Sequence, residues 1–155
     1  MLGALATRAM KVYLACTVRG DRAGVRVAGE MCRALESRGH VVLTKHLLED
    51  DVESQEARLA DRDVFSRDLE WLERADLLVV EGSGSSFGVG FEVGYVLARA
   101  AVSGQRVLLF YDTARRPALS RLLLGVEHPA CTLHGYEDSR EMTSALEGYL
   151  ESMRT

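Results

Sequence analysis

Short apolar runs alternate along this chain with longer segments in which apolar residues recur every three or four positions. The short runs predict five buried strands, at residues 12–15, 41–43, 77–80, 107–111 and 131–133. The helical spacing predicts helices at residues 23–38, 57–74, 91–101, 118–124 and 139–153. The acidic stretch at residues 47–54 is expected to be a loop.

Alternation of strands and helices predicts an α/β fold. Strands that are apolar on both faces are typical of a parallel sheet covered by helices on each side. Five such strands indicate a flavodoxin-like (Rossmann-like) three-layer sandwich in the order 2-1-3-4-5. In this order a ligand binds beyond the carboxyl ends of the first and third strands. The loops at residues 16–21 and 82–90 are therefore expected to form the ligand site.

Length and charge limit the class of protein. The 155 residues suit a short N-terminal leader at residues 1–10 and a single catalytic domain at residues 11–155. The apolar content of 47% and the charged content of 27% are typical of a soluble globular protein. A net charge of −4 argues against a general nucleic-acid-binding protein, which normally presents a basic surface.

Cysteine usage and hydropathy indicate a cytoplasmic protein. The three cysteines, Cys16, Cys32 and Cys131, lack the paired spacing of zinc ligands and suit a reducing compartment. No apolar run approaches the roughly 20 residues that a membrane-spanning helix needs. The four histidines show no ligand spacing. We therefore expect neither a metal nor an organic cofactor, and neither a membrane nor a nucleic acid as partner.

A loop of glycines and serines at residues 82–90 is the most distinctive segment. Its glycines match neither the dinucleotide fingerprint nor the P-loop. Ser86 and the backbone N–H groups at the following helix N-terminus could instead bind a phosphate, although a plain flexible connection is the alternative. Residues 84–88 also fit Gly-x-Ser-x-Gly, with His128 and His134 downstream, which leaves a serine hydrolase open.

Two carboxylates lie in otherwise apolar surroundings. Glu92 stands between Phe91 and Val93, where an unpaired charge would be costly to bury. Asp68 falls within the apolar stripe of its predicted helix. Two carboxylates brought together by the fold could cleave a glycosidic bond. Arg19, in the first loop, has the forked guanidinium that suits phosphate oxygens.

Several of these segments resemble one enzyme family. They are residues 13–20, 43–46, 68–72 and 86–94, and the most specific are Asp-Leu-Glu-Trp-Leu at 68–72 and Gly-Val-Gly-Phe-Glu-Val-Gly at 88–94. Together they are similar to the 2′-deoxynucleoside 5′-phosphate N-hydrolases of the nucleoside 2-deoxyribosyltransferase superfamily. The resemblance runs from about Lys11 to about Tyr149.

This resemblance implies a role for particular residues. Glu92 would attack C1′ of the sugar, Asp68 would act as acid and base, and Tyr13 would orient the carboxylate. The family's substrate and phosphate contacts would fall on Thr17, Val18, Arg19, Gly20, His46, Ser86, Gly88 and Gly90, with Ser120 supplied by the partner subunit of a homodimer.

The first loop departs from the family's usual Gly-Ser-Ile-Arg-Gly-Gly. Cys16 adds bulk where the family's backbone approaches the ligand, and Asp21 adds negative charge beside the expected phosphate pocket. The resemblance implies hydrolysis of (2′-deoxy)nucleoside 5′-monophosphates by retaining double displacement. A base-exchanging nucleoside 2-deoxyribosyltransferase and a non-catalytic nucleotide-binding sensor are the alternatives.

Overall fold

The computed structural model describes residues 8–153. Residues 1–7 of the predicted leader and residues 154–155 of the predicted domain therefore lie outside the described residues. The strands are β1 (Lys11–Ala15), β2 (Val41–Val42), β3 (Leu77–Glu81), β4 (Arg106–Asp112) and β5 (Cys131–Tyr136). The α-helices are α1 (Val25–Ser37), α2 (Val52–Glu56), α3 (Asp61–Arg74), α4 (Phe87–Ser103), α5 (Arg121–Leu124) and α6 (Ser139–Ser152).

The five strands form one parallel sheet in the order β2-β1-β3-β4-β5, which confirms the predicted α/β topology. Leu14 of β1 lies opposite Val79 of β3, and Val79 in turn lies opposite Leu108 of β4. The chain reverses its direction of winding between β1 and β3. The loops that follow these two strands therefore leave the sheet side by side.

Both faces of the sheet are covered, which confirms the three-layer sandwich. On one face, Leu14 and Val79 pack with Met31 of α1 and Leu146 of α6. On the other face lie residues of β1, β3, α3 and α4, among them Tyr13, Val80, Leu72 and Val93. Successive side chains of a strand point to opposite faces. Tyr13 is thereby directed toward α3 and α4, the helices that carry Asp68 and Glu92.

The predicted loop at residues 47–54 is wrong. The chain forms a 3-10 turn at Lys45–Leu48 and then the short helix α2. Leu47, Val52 and Glu56 are buried, so this segment has an inward face. The pattern was hidden because a glutamate occupies one of the buried positions.

The larger differences from the predicted helix boundaries concern three helices. α3 begins at Asp61 rather than at residue 57, with Asp61 and Asp63 in its first turn, where carboxylates favour a helix N-terminus. α4 begins at Phe87 rather than at residue 91, because the Ser86 hydroxyl caps it by accepting a hydrogen bond from Val89 N. The predicted helix at 118–124 is shortened to α5, which Ser120 caps, and a 3-10 turn at Thr113–Ala118 precedes it.

Within residues 8–153, none of the helices combines the length and apolar character that crossing a bilayer requires.

Candidate active site

A cleft of about 440 Å³ lies where the sheet order reverses. Its wall is built from the loop after β1, the N-terminal part of α4 and the inner faces of α2 and α3. Six predicted site residues line it: Val18, Arg19, Asp68, Ser86, Gly88 and Glu92. The cavity thus lies at the position predicted from the topology, and half of the predicted site residues line it.

Glu92 and Tyr13 form a direct hydrogen bond in this cleft. The Tyr13 hydroxyl donates to Glu92 Oε1 at 2.6 Å, and the Tyr13 side chain is completely buried in β1. Burial raises the pKa of Glu92 to about 7, an effect that the hydrogen bond from Tyr13 opposes and the charge of Asp68 increases. Burial likewise raises the pKa of Tyr13, so its hydroxyl stays protonated and donates to the carboxylate.

Asp68 occupies the α3 side of the cleft. Its side chain is half-buried, and Asp68 Oδ1 accepts from Arg67 Nε at 2.9 Å. Burial raises the pKa of Asp68, whereas the adjacent Arg67 guanidinium opposes that rise. Asp68 and Glu92, separated by 24 positions in the sequence, therefore face one cavity with electrostatic coupling between them. Such a pair of carboxyl groups can divide nucleophilic and acid–base roles.

The first loop and the glycine-serine loop pack closely against each other. Thr17 is buried, and a Cβ atom at Gly84 would lie only 2.0 Å from Thr17 Oγ1. Glycine at position 84 is therefore required for this contact. Gly20 has a φ of +93°, a left-handed conformation that favours glycine. Arg19 directly precedes Gly20 and is exposed at the cleft.

Cys16 and Asp21, two residues of the first loop that differ from the family's usual sequence, lie in different places. The sequence predicts that Asp21 adds negative charge beside the phosphate pocket. Its carboxylate instead forms an ion pair with Arg115 and accepts from Ala23 N at 3.0 Å, and it is absent from the cleft lining. Cys16 does line the cleft, and burial raises the pKa of its thiol to about 12. Cys16 therefore contributes neutral bulk rather than a thiolate.

Ser86 joins the cleft to the N-terminus of α4. Its hydroxyl accepts from Val89 N at 3.4 Å, and Gly88 beside it also lines the cleft. A helix N-terminus with free N–H groups suits an anion. The serine-hydrolase hypothesis requires a histidine next to Ser86. His134 instead contacts the Tyr149 hydroxyl, and His128 accepts a hydrogen bond from Ala130 N. Neither histidine pairs with Ser86, and no histidine is among the described residues that line this cavity.

The remaining predicted residues lie outside the cleft lining within the part of the chain that the structure describes; they are Tyr13, Thr17, Gly20, His46, Gly90 and Ser120. Tyr13 acts on the cleft through Glu92. His46 Nε2 lies 3.5 Å from Glu56 Oε1, and Glu56 does line the cleft. The Ser120 hydroxyl caps α5 within its own chain by accepting from Leu123 N.

Two cleft-side residues were missed by the sequence reasoning. Arg67 donates to both carboxylate oxygens of Glu56, at 2.8 and 3.2 Å, and also to Asp68. Glu56 falls between the predicted loop and the predicted helix, and the sequence assigns no role to Arg67. The available signal was the adjacency of Arg67 and Asp68 on a helix with an apolar stripe.

Another buried carboxylate, Glu81, forms hydrogen bonds with the glycine-serine loop. Glu81, at the end of β3, is 1% exposed and accepts from Ser83 N at 3.2 Å and from the Tyr136 hydroxyl at 2.7 Å. The Ser83 hydroxyl also donates to Glu81. A Cβ atom at Gly24 would lie 1.7 Å from Glu81 Oε2, so the start of α1 depends on glycine there. Glu81 thus hydrogen-bonds to the glycine-serine loop and packs against the N-terminal end of α1.

The parallel sheet and the cleft make this a flavodoxin-like α/β protein with two carboxyl groups in its candidate active site. Comparisons with known proteins give its family. The model of the nucleoside 2-deoxyribosyltransferase family matches residues 12–149. The chain therefore belongs to the nucleoside 2-deoxyribosyltransferase family, as the resemblance predicted.

Individual relatives agree with this assignment. A 2′-deoxynucleoside 5′-phosphate N-hydrolase 1 of Thermofilum pendens is 41% identical over 141 residues, which cover 91% of this chain and 95% of that protein. The 5-hydroxymethyl-dUMP N-hydrolase of Danio rerio is 29% identical, covering 93% and 98%. The solved CMP N-glycosidase of Clostridium botulinum shares the fold, with a TM-score of 0.65, 18% identity and coverage of 90% and 98%.

Proposed function

We propose that this protein is an N-glycosidase that hydrolyses (2′-deoxy)nucleoside 5′-monophosphates to a free base and a (deoxy)ribose 5-phosphate. The observation that carries the proposal is the single cleft shared by Glu92, Asp68, Arg19 and Ser86. It combines two carboxyl groups with an anion-binding edge. The names of the relatives support it, because they are N-hydrolases of deoxynucleoside phosphates and a CMP N-glycosidase.

The proposed chemistry is a retaining double displacement. Ionised Glu92 attacks C1′ and forms a glycosyl ester, while protonated Asp68 gives its proton to the departing base. Asp68 then removes a proton from water, whose oxygen attacks C1′ and releases Glu92. The hydrogen bond from Tyr13 fixes one oxygen of Glu92 and stabilises its ionised form. The reaction balances without a metal or an organic cofactor.

The phosphate is proposed to bind at the other end of the cleft. Arg19 supplies a cation, and Ser86 and Gly88 supply the N-terminal end of α4. The turn through Thr17, Val18 and Gly20 would bring backbone N–H groups toward the same anion. Contacts to a remote phosphate raise the rate when their binding energy is used to orient the sugar over Glu92.

A homodimer remains part of the proposal. Phe65 and Phe91 contact each other beside the cleft with 53% and 52% of their surface exposed, and Phe87 is fully exposed. A second copy of the chain packed on this aromatic surface could bring its Ser120 to the phosphate. Sedimentation equilibrium of wild type and Phe87→Ser would measure the association.

The experiment is chromatography of nucleotides after incubation with wild type and Glu92→Gln. We expect wild type to release base from 5′-monophosphates faster than from the matching nucleosides, and Glu92→Gln to lose at least about 100-fold of that activity. Glu70→Gln is the matched control, because Glu70 is an exposed carboxylate on α3 paired with Arg74. Wild type that releases no base from any monophosphate would refute the proposal.

Base transfer is the second candidate, and the family to which the chain belongs favours it. Including a second free base in the same incubation distinguishes the two reactions. Hydrolysis yields sugar phosphate regardless of the added base, whereas a transferase joins the sugar to the added base and yields a new nucleotide from a monophosphate or a new nucleoside from a nucleoside. A non-catalytic sensor would instead bind a monophosphate in calorimetry without releasing base.

A further inference from the structure

We propose that Arg67 is a positioning residue for Asp68, held in place by Glu56, and that it directs the proton of Asp68 to Oδ2, from which it passes to the leaving base. The inference rests on the proposed function, since it assigns Asp68 a proton to deliver. It concerns two residues, Glu56 and Arg67, that the family resemblance did not assign.

Hydrogen-bond geometry identifies Arg67 as a link between two carboxylates. Its Nη1 and Nη2 reach the two oxygens of Glu56 at 2.8 and 3.2 Å, a bidentate arrangement that fixes the plane of the guanidinium. Its Nε and Nη2 lie 2.9 and 2.8 Å from Asp68 Oδ1. The guanidinium also lies 4.9 Å above the ring of Trp71, one turn further along α3.

Burial makes this arrangement rigid. The side chains of Glu56 and Arg67 are 9% and 22% exposed. A carboxylate that is as buried as Glu56 requires a charged partner, and a bidentate arginine supplies one. Surface ion pairs exchange readily with water, but this pair is mostly removed from water. Glu56 is therefore a fixed support that determines where the Arg67 N–H groups point.

The two oxygens of Asp68 are consequently unequal. Oδ1 accepts the Arg67 hydrogen bonds, so a proton on Oδ1 would point at a donor. The proton is thus directed to Oδ2. In the proposed reaction, Oδ2 is the oxygen that gives this proton to the leaving base. Because Asp68 lies in the cleft and Arg67 is absent from its lining, Arg67 acts on the substrate through Asp68.

The charged and titratable groups around Asp68 come from every neighbouring element. Arg67 belongs to the same helix, and the others are Glu56 of α2, His46 of the 3-10 turn, Tyr13 of β1 and Glu92 of α4. Among the residues that the structure describes, Arg67 is the cation that forms an ion pair with Asp68. Removing its charge should therefore raise the pKa of Asp68, because the remaining carboxylates favour the protonated form.

The test compares Arg67→Gln and Arg67→Lys, with Arg74→Gln as the control. Arg74 is a surface arginine on the same helix, paired with Glu70. For Arg67→Gln we expect kcat to fall about 10- to 100-fold with little change in KM, and the pH limb set by Asp68 to move to higher pH. Arg67→Lys keeps the charge without the fork, so kcat should fall while the limb stays in place.

An activity-independent readout separates this proposal from the proposed function. The pKa of Asp68 can be followed by NMR of ¹³C-labelled aspartate, with its signal assigned by Asp68→Asn. A rise in Arg67→Gln, absent from Arg67→Lys and Arg74→Gln, supports the link even if no nucleotide is cleaved. An unchanged Asp68 pKa, or a kcat loss matched by Arg74→Gln, overturns it. Thermal unfolding of each variant identifies losses that arise only from misfolding.

Discussion

Replacing Glu92 by glutamine should make the unliganded protein more stable relative to wild type as the pH rises. Glu92 is partly buried and accepts one hydrogen bond among the described residues, from Tyr13, so its charged form is disfavoured in the folded chain. Glutamine has nearly the same shape, can still accept from Tyr13 and carries no charge. Wild type and variant therefore differ mainly in the cost of ionising one buried group.

The sign and size follow from the pKa. Burial first, then the charge of Asp68, raises the pKa of Glu92 from 4.5 to about 7. A group with a higher pKa in the folded state contributes stability that is fully present below its unfolded pKa and is lost as the pH rises through its folded pKa. One pKa unit corresponds to about 1.4 kcal/mol, so the full loss is about 3 kcal/mol. Between pH 5 and pH 8, about 2–3 kcal/mol of it is lost.

Urea unfolding of both proteins at a series of pH values measures this quantity. All other titrating groups are shared, so the difference in free energy of unfolding, wild type minus Glu92→Gln, should decrease by about 2–3 kcal/mol from pH 5 to pH 8. Parallel pH profiles would refute the reasoning, because they would show that Glu92 ionises as easily in the cleft as in the unfolded chain.

Two further predictions concern neighbours of the cleft. Gly24→Ala should lose about 1–3 kcal/mol of stability in urea unfolding, because its Cβ would overlap Glu81 Oε2 at the start of α1. Gly29→Ala, within α1, meets only ordinary contacts and should be neutral or stabilising; equal effects of the two substitutions would contradict the packing argument. Tyr13→Phe removes the donor to Glu92, so the pKa of Glu92 should rise and the acid limb of the kcat/KM profile should move to higher pH; an unmoved limb would exclude Tyr13 from this role.

The architecture was predictable because the strands of a buried parallel sheet are nearly continuous apolar runs. β3, for example, is buried at every position from Leu77 to Glu81. The helix starts were less predictable, since they depend on caps rather than on periodicity. Gly88 and Gly90 suggested a loop, but the Ser86 cap and the packing of Val89 begin α4 before them.

The site was predictable only in part, because its polar contacts depend on tertiary position. Asp68 and Glu92 stood out as charges among apolar residues. Arg67 and Glu56 did not, since charged residues on short or amphipathic helices are usually exposed. Asp21 shows the opposite case: its charge suggested a conflict with phosphate, which the ion pair to Arg115 removes. Arg115 comes from a segment 94 positions away, so no local pattern predicts it.

Two glutamates lie on either side of the glycine-serine loop and have different roles. Glu81 holds the loop in place, whereas Glu92 is the proposed nucleophile. Glu81 is buried and Glu92 is partly buried, and both accept a hydrogen bond from a tyrosine hydroxyl. Glu81 also accepts from the backbone and hydroxyl of Ser83 and faces the interior, so its oxygens are occupied by the fold. Glu92 has Tyr13 as its donor and faces the cleft. Burial raises the pKa of both carboxyl groups, so it is the small number of hydrogen bonds and the position in the cleft that leave Glu92 available to a substrate.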